Sequence, residues 1–236
     1  MIYLKLILFV FVFSIEGRIL PRNPLEENIL SFLAEWQGAS NQPGSFPIPS
    51  LKTVIIPPVA YYYDGKGVKL NYSIGEMQLT GLDNFTVENI FASETSLDVT
   101  LSLRFPVLSL YSEKYKLKGR AYFIYPLRGS GKMHLTLRDV FITASVRFGA
   151  NGNSTKVENF LLNFDVNKIE ANLENSSWPI NVILNTEGVQ ILSEYHGTIV
   201  DALWNYVVPM VNDYLKDIPT AELLQTANTL PLLNAS

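Results

Sequence analysis

The 236-residue chain contains no cysteine, so a disulfide framework and any thiolate nucleophile or metal ligand are excluded, and its fold must be held by a large core. Histidine is nearly absent too. His134 and His196 each lack a partner histidine at metal-ligand spacing, so no metal is expected and both read as structural or surface residues. Basic residues never run together, which argues against nucleic acid and against electrostatic capture by anionic membranes. The G-x-S-x-G turn that holds a serine nucleophile is missing, and Gly129-Ser130-Gly131 reads as a hairpin turn. Gly65-Lys66-Gly67 has neither a third glycine nor a following helix, so it does not cradle a phosphate. No catalytic residue and no cofactor site can be named, and the chain is expected not to be an enzyme.

Long hydrophobic runs are confined to the start. Met1 to Gly17 places Lys5 ahead of an apolar run that ends near Ser14, with small residues at Ser14 and Gly17. This pattern predicts a secretory signal peptide over residues 1–17 and a single secreted, extracellular domain over 18–236, with no stable membrane insertion. Losing Lys5 and Glu16 leaves the formal net charge at −4. Asn-X-Ser/Thr acceptors at Asn71, Asn84, Asn153 and Asn175 are expected to carry glycans, and a fifth, Asn234, lies two residues from the end.

Apolar and aromatic side chains, by contrast, are plentiful. The chain is 47% hydrophobic and 17% charged, with 13 Phe, 12 Tyr and 3 Trp, the profile of a globular protein with apolar surface to spare. Asn23 and Pro24 predict the cap and first turn of a short amphipathic helix carrying Leu25, Ile29, Phe32, Leu33 and Trp36. The Pro/Gly/Ser-rich stretch from Gly38 to Pro58 reads as an extended connector.

From Lys66 to Leu184 the apolar period is two. It predicts a strand from Val68 that bends at Gly75, the strand Leu97 to Phe105, and strands Tyr115–Tyr125, Lys132–Phe148, Val157–Leu173 and Ile180–Leu184. Turns at Leu127–Gly131 and Gly149–Thr155 make the pairing antiparallel. Gln190 to Asp217 then reads as one long helix with two adjacent apolar rows, kinked at Pro209 and stopped by Pro219. One apolar sheet face and one broad apolar helix predict an α+β fold: a long C-terminal helix wrapped by a strongly curved antiparallel sheet, with room left in its interior.

Several motifs in order resemble the insect takeout and juvenile hormone-binding protein family. They are Phe46-Pro47-Ile48-Pro49-Ser50-Leu51, Asp64-Gly65-Lys66-Gly67, Leu79-Thr80-Gly81-Leu82, Phe105-Pro106-Val107-Leu108, Tyr115-Lys116-Leu117-Lys118-Gly119-Arg120, Pro126-Leu127-Arg128-Gly129-Ser130-Gly131 and Asp139-Val140, with Trp204 and Pro209 on the last helix. The resemblance implies a secreted α/β-wrap protein of the tubular lipid-binding group, a carrier of a terpenoid, fatty acid or other lipid in an elongated apolar tunnel. Members usually carry an N-terminal cysteine pair, absent here, so the first helix depends on packing alone.

Met210 adapts its shape, Trp and Tyr supply apolar walls with a polar tip, and the proline opens space. Leu203, Trp204, Tyr206, Val207 and Met210 are therefore the expected ligand contacts, joined by Phe105 and Phe123 from the strands. The expected state is a monomer with a small hydrophobic ligand as partner. The alternative is a lipid-surface or protein-interaction module of the same fold with a filled core.

Overall fold

Apolar alternation sustained over more than twenty residues builds strands much longer than the usual five or six. The computed structural model describes residues 23–38, 51–65, 67–122, 124–151 and 154–229. Its elements are α1 (Pro24–Gly38), β1 (Thr53–Ile56), β2 (Val59–Gly65), β3 (Val68–Ile74), β4 (Met77–Thr80), β5 (Thr86–Ser93), β6 (Asp98–Ala121), β7 (Tyr125–Asn151), β8 (Ser154–Leu173), α2 (Ile180–Glu194), α3 (His196–Leu215) and α4 (Thr220–Thr229). All eight strands form one antiparallel sheet organised on β6. On one side lies β7 and then β8, while β5, β4 and β3 follow one another along the other side. β1 extends β4, and β2 extends β3.

Several expectations change. The strands at Leu97 and Tyr115 are one 24-residue strand, interrupted only by a register shift between Ser112 and Tyr115. Gly129-Ser130-Gly131 is not a turn but lies inside β7, opposite Tyr115 to Leu117, and β6 ends at Ala121 before β7 begins at Tyr125. Glycine is needed at 129 because a Cβ there would occupy the space of the Tyr115 phenol. The connector before Pro58 contains β1, and the bend at Gly75 separates two strands instead of deforming one.

The single long C-terminal helix is corrected as well. Ile180–Leu184 is helix and not strand, and two helices meet at Tyr195, whose φ of −98° and ψ of 6° leave the helical region. A five-residue stretch with four apolar residues cannot by itself distinguish buried helix from strand. Gly197, beside the break, weakens helical continuity. Pro209 sits inside α3, which continues past it to Leu215.

The helices occupy the place a ninth strand would take. Asn185 accepts the Ala171 backbone N–H at 2.8 Å and donates to the Ala171 carbonyl at 2.9 Å; Asn181 does the same with Leu173 at 2.9 and 3.2 Å. Four helical residues rise about 6 Å and two strand residues about 6.7 Å, so an i, i+4 asparagine pair matches alternate residues of an extended edge. Farther along, Asn212 of α3 accepts the Val157 N–H at 2.7 Å. These side chains satisfy edge groups that would otherwise pair with another chain. Gly188 lets α2 approach, since a Cβ there would lie 3.3 Å from Ile169.

The core centres on a crease. Inward residues normally alternate, yet Phe105 and Leu108 on β6, Leu137 and Val140 on β7, and Val166 and Ile169 on β8 all face one core at a spacing of three. The crease crosses the same rungs of all three strands, where Asp139 takes a φ of 51°. α1 covers this core with Leu33, Ile29, Phe32 and Trp36. Its start follows expectation: Asn23 Oδ1 accepts the Glu26 N–H at 2.9 Å, and Glu26 accepts the Asn23 N–H at 3.1 Å, a reciprocal capping box. A second core, around Met77, Tyr115, Met133, Ala171, Leu173 and Ile180, lies toward the start of α2. Among the described residues the sheet does not close on itself through its backbone, so the full wrap is corrected to an open sheet with α2 and α3 along its β8 edge.

Candidate functional site

Beyond the crease, three successive rungs present only apolar side chains inward. Pairing across β5, β6, β7 and β8 aligns Val87–Leu103–Ile142–Phe164, then Ile90–Leu101–Ala144–Leu162, then Ala92–Val99–Val146–Phe160. Of these twelve residues only Ala92 is fully buried, and the other eleven are half-buried. Packed sheet interiors bury such residues completely, as the neighbouring crease does with Phe105 at 4% and Val140 at 3% exposure. The rungs therefore form an underfilled apolar trough. Along β6 and β7 its outer face is polar and internally bonded, with Thr100 to Ser145 at 2.9 Å, Ser102 to Thr143 at 3.1 Å and Arg147 to Asp98 at 2.7 Å, while Phe91 and Leu161 flank it exposed on β5 and β8. The bond from Arg147, with a second from Ser96, holds the Asp98 carboxyl below its ordinary range.

α3 forms the wall along β8. The His196 ring stacks on Phe164 with centroids 4.6 Å apart, and the Trp204 indole leans on Phe160 at 5.9 Å. Eight helical residues and four strand residues both span about 12–13 Å, so helix and strand keep step along the trough. Between the Asn185 and Asn212 contacts, at the break between α2 and α3, a cleft of ≈ 440 Å³ opens among Asn163, Phe164, Asp165, Leu192, Ser193 and His196. Register alternation from Ala171 aims the backbone of Asn163 and Asp165 at this free edge. Across the break, Tyr195 shares a hydrogen bond with Tyr63 of β2, which together with desolvation pushes its phenol up to about 12. The Tyr195 phenol thus stays protonated at neutral pH, and its contact with Tyr63 ties the helix break to the far flank of the sheet.

One atom in this site lacks a partner. His196 Nε2 is shut off from solvent and makes no hydrogen bond, alone among buried side-chain nitrogen and oxygen atoms of the described residues. Buried polar groups are nearly always bonded, and leaving one unpaired costs about 1–3 kcal/mol. The atom can donate or accept according to its tautomer. An apolar trough with one orphaned polar atom at its edge has the chemistry to hold an apolar body with a single polar head.

The expected contacts separate in space. Trp204 and Val207 are half-buried on α3, whereas Leu203 is 37% exposed. Phe105 is packed against Phe85 at 5.9 Å and closes the crease end. Phe123 and the side chains at 206 and 210 lie outside the described residues, as do residues 1–22, Phe46–Pro49, Asn153 and Asn234. Asn71, Asn84 and Asn175 are exposed. His134, expected on the polar side of its strand, bonds Ser109 Oγ at 2.8 Å there. His196 and the Phe160-Leu162-Phe164 alternation were missed as site residues; the alternation was visible, but the orphaned nitrogen was not. Among the described residues no cluster of His, Asp or Glu could hold a metal ion, and no helix is long and apolar enough to cross a membrane.

A model of the haemolymph juvenile hormone binding protein family matches residues 44–225. None of the curated proteins matches the chain in sequence. Among solved structures, Takeout 1 of Epiphyas postvittana is similar, with a TM-score of 0.60 and 17% identity over 82% of this chain and 92% of that one. A lipopolysaccharide binding protein aligns at a TM-score of 0.38 and 15% identity, over 88% of this chain and 40% of its own.

Proposed function

Since the chain belongs to the haemolymph juvenile hormone binding protein family, we propose that it is a secreted, single-domain carrier of one small amphiphile. The apolar body lies along the three rungs and the polar head reaches His196 Nε2. The observation that carries this reading is the pairing of eleven half-buried inward side chains with one orphaned buried nitrogen. A terpenoid or fatty acid with a carboxyl, ester or hydroxyl end fits both parts. Trp204 and Val207 serve as the helix wall and Phe105 as the closed end; Tyr206, Met210 and Phe123 remain proposed contacts, while Leu203 lies toward solvent. The role is binding and transport, not catalysis.

The energetics are sufficient. Burying about twelve to sixteen methylenes at roughly 0.8 kcal/mol each gives a gross gain near 10–13 kcal/mol. Association and ordering offset several kcal/mol of it. The remainder reaches about −8 kcal/mol, micromolar binding, with no charge pairing needed. An interaction module with a filled core would instead have buried the rungs. Organic extraction of protein purified from a eukaryotic secretory host, with mass analysis of the extract, tests the reading: a stoichiometric amphiphile supports it, and ligand-free protein that takes up no apolar probe contradicts it.

A further inference from the structure

The second surface that stands out is the outer face of the sheet at the β6–β7 turn. Lys114, Lys116, Lys118 and Arg120 are separated by single residues, so a scan for basic runs passes over them, yet a strand sets alternate residues on one side. Register adds Arg128 opposite Lys118 and Lys69 opposite Arg120. All six are exposed. Lys69 is paired with Asp64 at 2.8 Å, whereas Lys116, Lys118, Arg120 and Arg128 have no ion-pair partner among the described residues. Nearby acids are engaged elsewhere: Glu113 pairs with Lys132 at 3.3 Å, and Glu174 accepts the Lys132 backbone N–H at 2.9 Å. A chain with net charge −4 thus carries a concentrated cationic face. Two open clefts of ≈ 600 and ≈ 470 Å³ run along it, the first lined by Lys114 and Lys116 and the second by Lys116 and Lys118.

Exposed apolar groups crown the same end. Tyr122 is 68% exposed, Ile124 72% and Tyr125 59% at the turn, and Trp178 is 84% exposed on the loop beside it. That loop is fastened to β7, with Ser177 N–H donating to the Arg128 carbonyl at 2.6 Å and Arg128 N–H donating to Ser177 Oγ at 3.0 Å. Protruding Tyr, Ile and Trp do not form a concave pocket for a peptide; aromatic rings with a polar tip suit the headgroup region of a bilayer, beside cations that meet anionic lipid.

We propose that this end docks the protein on anionic lipid bilayers, with Tyr122, Ile124, Tyr125 and Trp178 entering the headgroup layer while Lys116, Lys118, Arg120 and Arg128 contact lipid phosphates. The proposal stands independently of the carrier reading. Asn71 is paired with Lys118 in the sheet, so a glycan there would stand between this face and the bilayer. Protein bearing Asn71→Gln is accordingly expected to bind at least as tightly as the glycosylated chain.

The test is vesicle flotation of the Asn71→Gln protein with phosphatidylcholine alone and with one third phosphatidylserine, at low and high salt. Selective binding to the anionic vesicles, weakened by salt, is expected. Each neutralised cation should cost about fivefold, so K116Q, K118Q and R120Q combined should lose roughly a hundredfold, with unchanged thermal melting because all three are exposed. Ile124→Ser with Tyr125→Ser should also reduce binding. No binding to anionic vesicles, equal binding to both vesicle types, or an unchanged affinity in the triple variant overturns the proposal.

Discussion

Replacing His196 with Phe should make the empty protein more stable and its ligand weaker bound, two effects of opposite sign from one substitution. Phe preserves the ring that stacks on Phe164 at 4.6 Å. It removes Nε2, the buried nitrogen without a partner. Relieving an unsatisfied polar atom is worth about 1–3 kcal/mol, and for a chain of this length each kcal/mol moves the melting temperature by roughly 2–4 °C, so the ligand-free variant should melt roughly 2–12 °C higher. The head group loses a hydrogen bond in the same step. A bond involving a charged group contributes about 1.5–3 kcal/mol, so dodecanoic acid should bind roughly ten- to a hundredfold more weakly. Dodecane, with no head group, should bind both proteins alike. Differential scanning calorimetry of delipidated protein and displacement of a fluorescent apolar probe supply the two measurements. A variant that melts lower, or that binds the acid as tightly as the parent, refutes the role given to this atom.

Asn185→Ala removes both bonds to the Ala171 backbone and should destabilise by about 2 kcal/mol, with amide exchange at Ala171 rising sharply; an unchanged exchange rate would show that the edge needs no asparagine. Glu170, held at about 2 against an ordinary 4.5 by bonds from Arg138 and then Lys168, contributes stability that is present above about pH 4.5 and lost as pH falls toward 2. In denaturant titrations Glu170→Gln should flatten the pH dependence over that window, and added salt should diminish the effect because the group is exposed; an identical pH profile in the variant would contradict the assignment. Expressed through a secretory pathway, the chain should lose residues 1–17 and gain glycans at some of Asn71, Asn84, Asn153 and Asn175, readable by intact mass before and after glycosidase; a retained leader and no mass shift would sink the secretion argument.

Strand periodicity made much of the sheet legible, because alternation is local: Leu97 to Phe105 reads as half-buried strand without knowledge of its partners. The Asn23 cap was equally local. Other features depend on partners distant in sequence. Gly129-Ser130-Gly131 looks like a turn until Tyr115 is known to lie over it. Ile180–Leu184 has strand composition, and only the contacts of Asn181 and Asn185 with β8 reveal why it is helical there. The two apolar rows from Gln190 onward suggested one wrapped helix, whereas the chain breaks at Tyr195 and places its two segments along one edge. In the site, Trp204 was visible as an aromatic on an apolar stripe. The solitude of His196 Nε2 is a property of packing that no spacing rule reports. The cationic face is hidden for a simpler reason: Lys114, Lys116, Lys118 and Arg120 form no run in sequence, while a strand collects charge at every second residue.

The trough itself is tested most directly by filling it. Ala144 occupies the middle rung between Leu101 and Leu162 and is half-buried, facing the space assigned to the ligand. Ala144→Phe should occupy that space from the protein side. The measurement is stoichiometric uptake of an apolar fluorescent probe by delipidated parent and variant, with melting temperature recorded on the same samples. Binding by the parent and its loss in the variant, at a melting temperature within a few degrees, is the predicted result. Retained binding, or a collapse in stability showing that the rung is already packed, would contradict an open apolar trough.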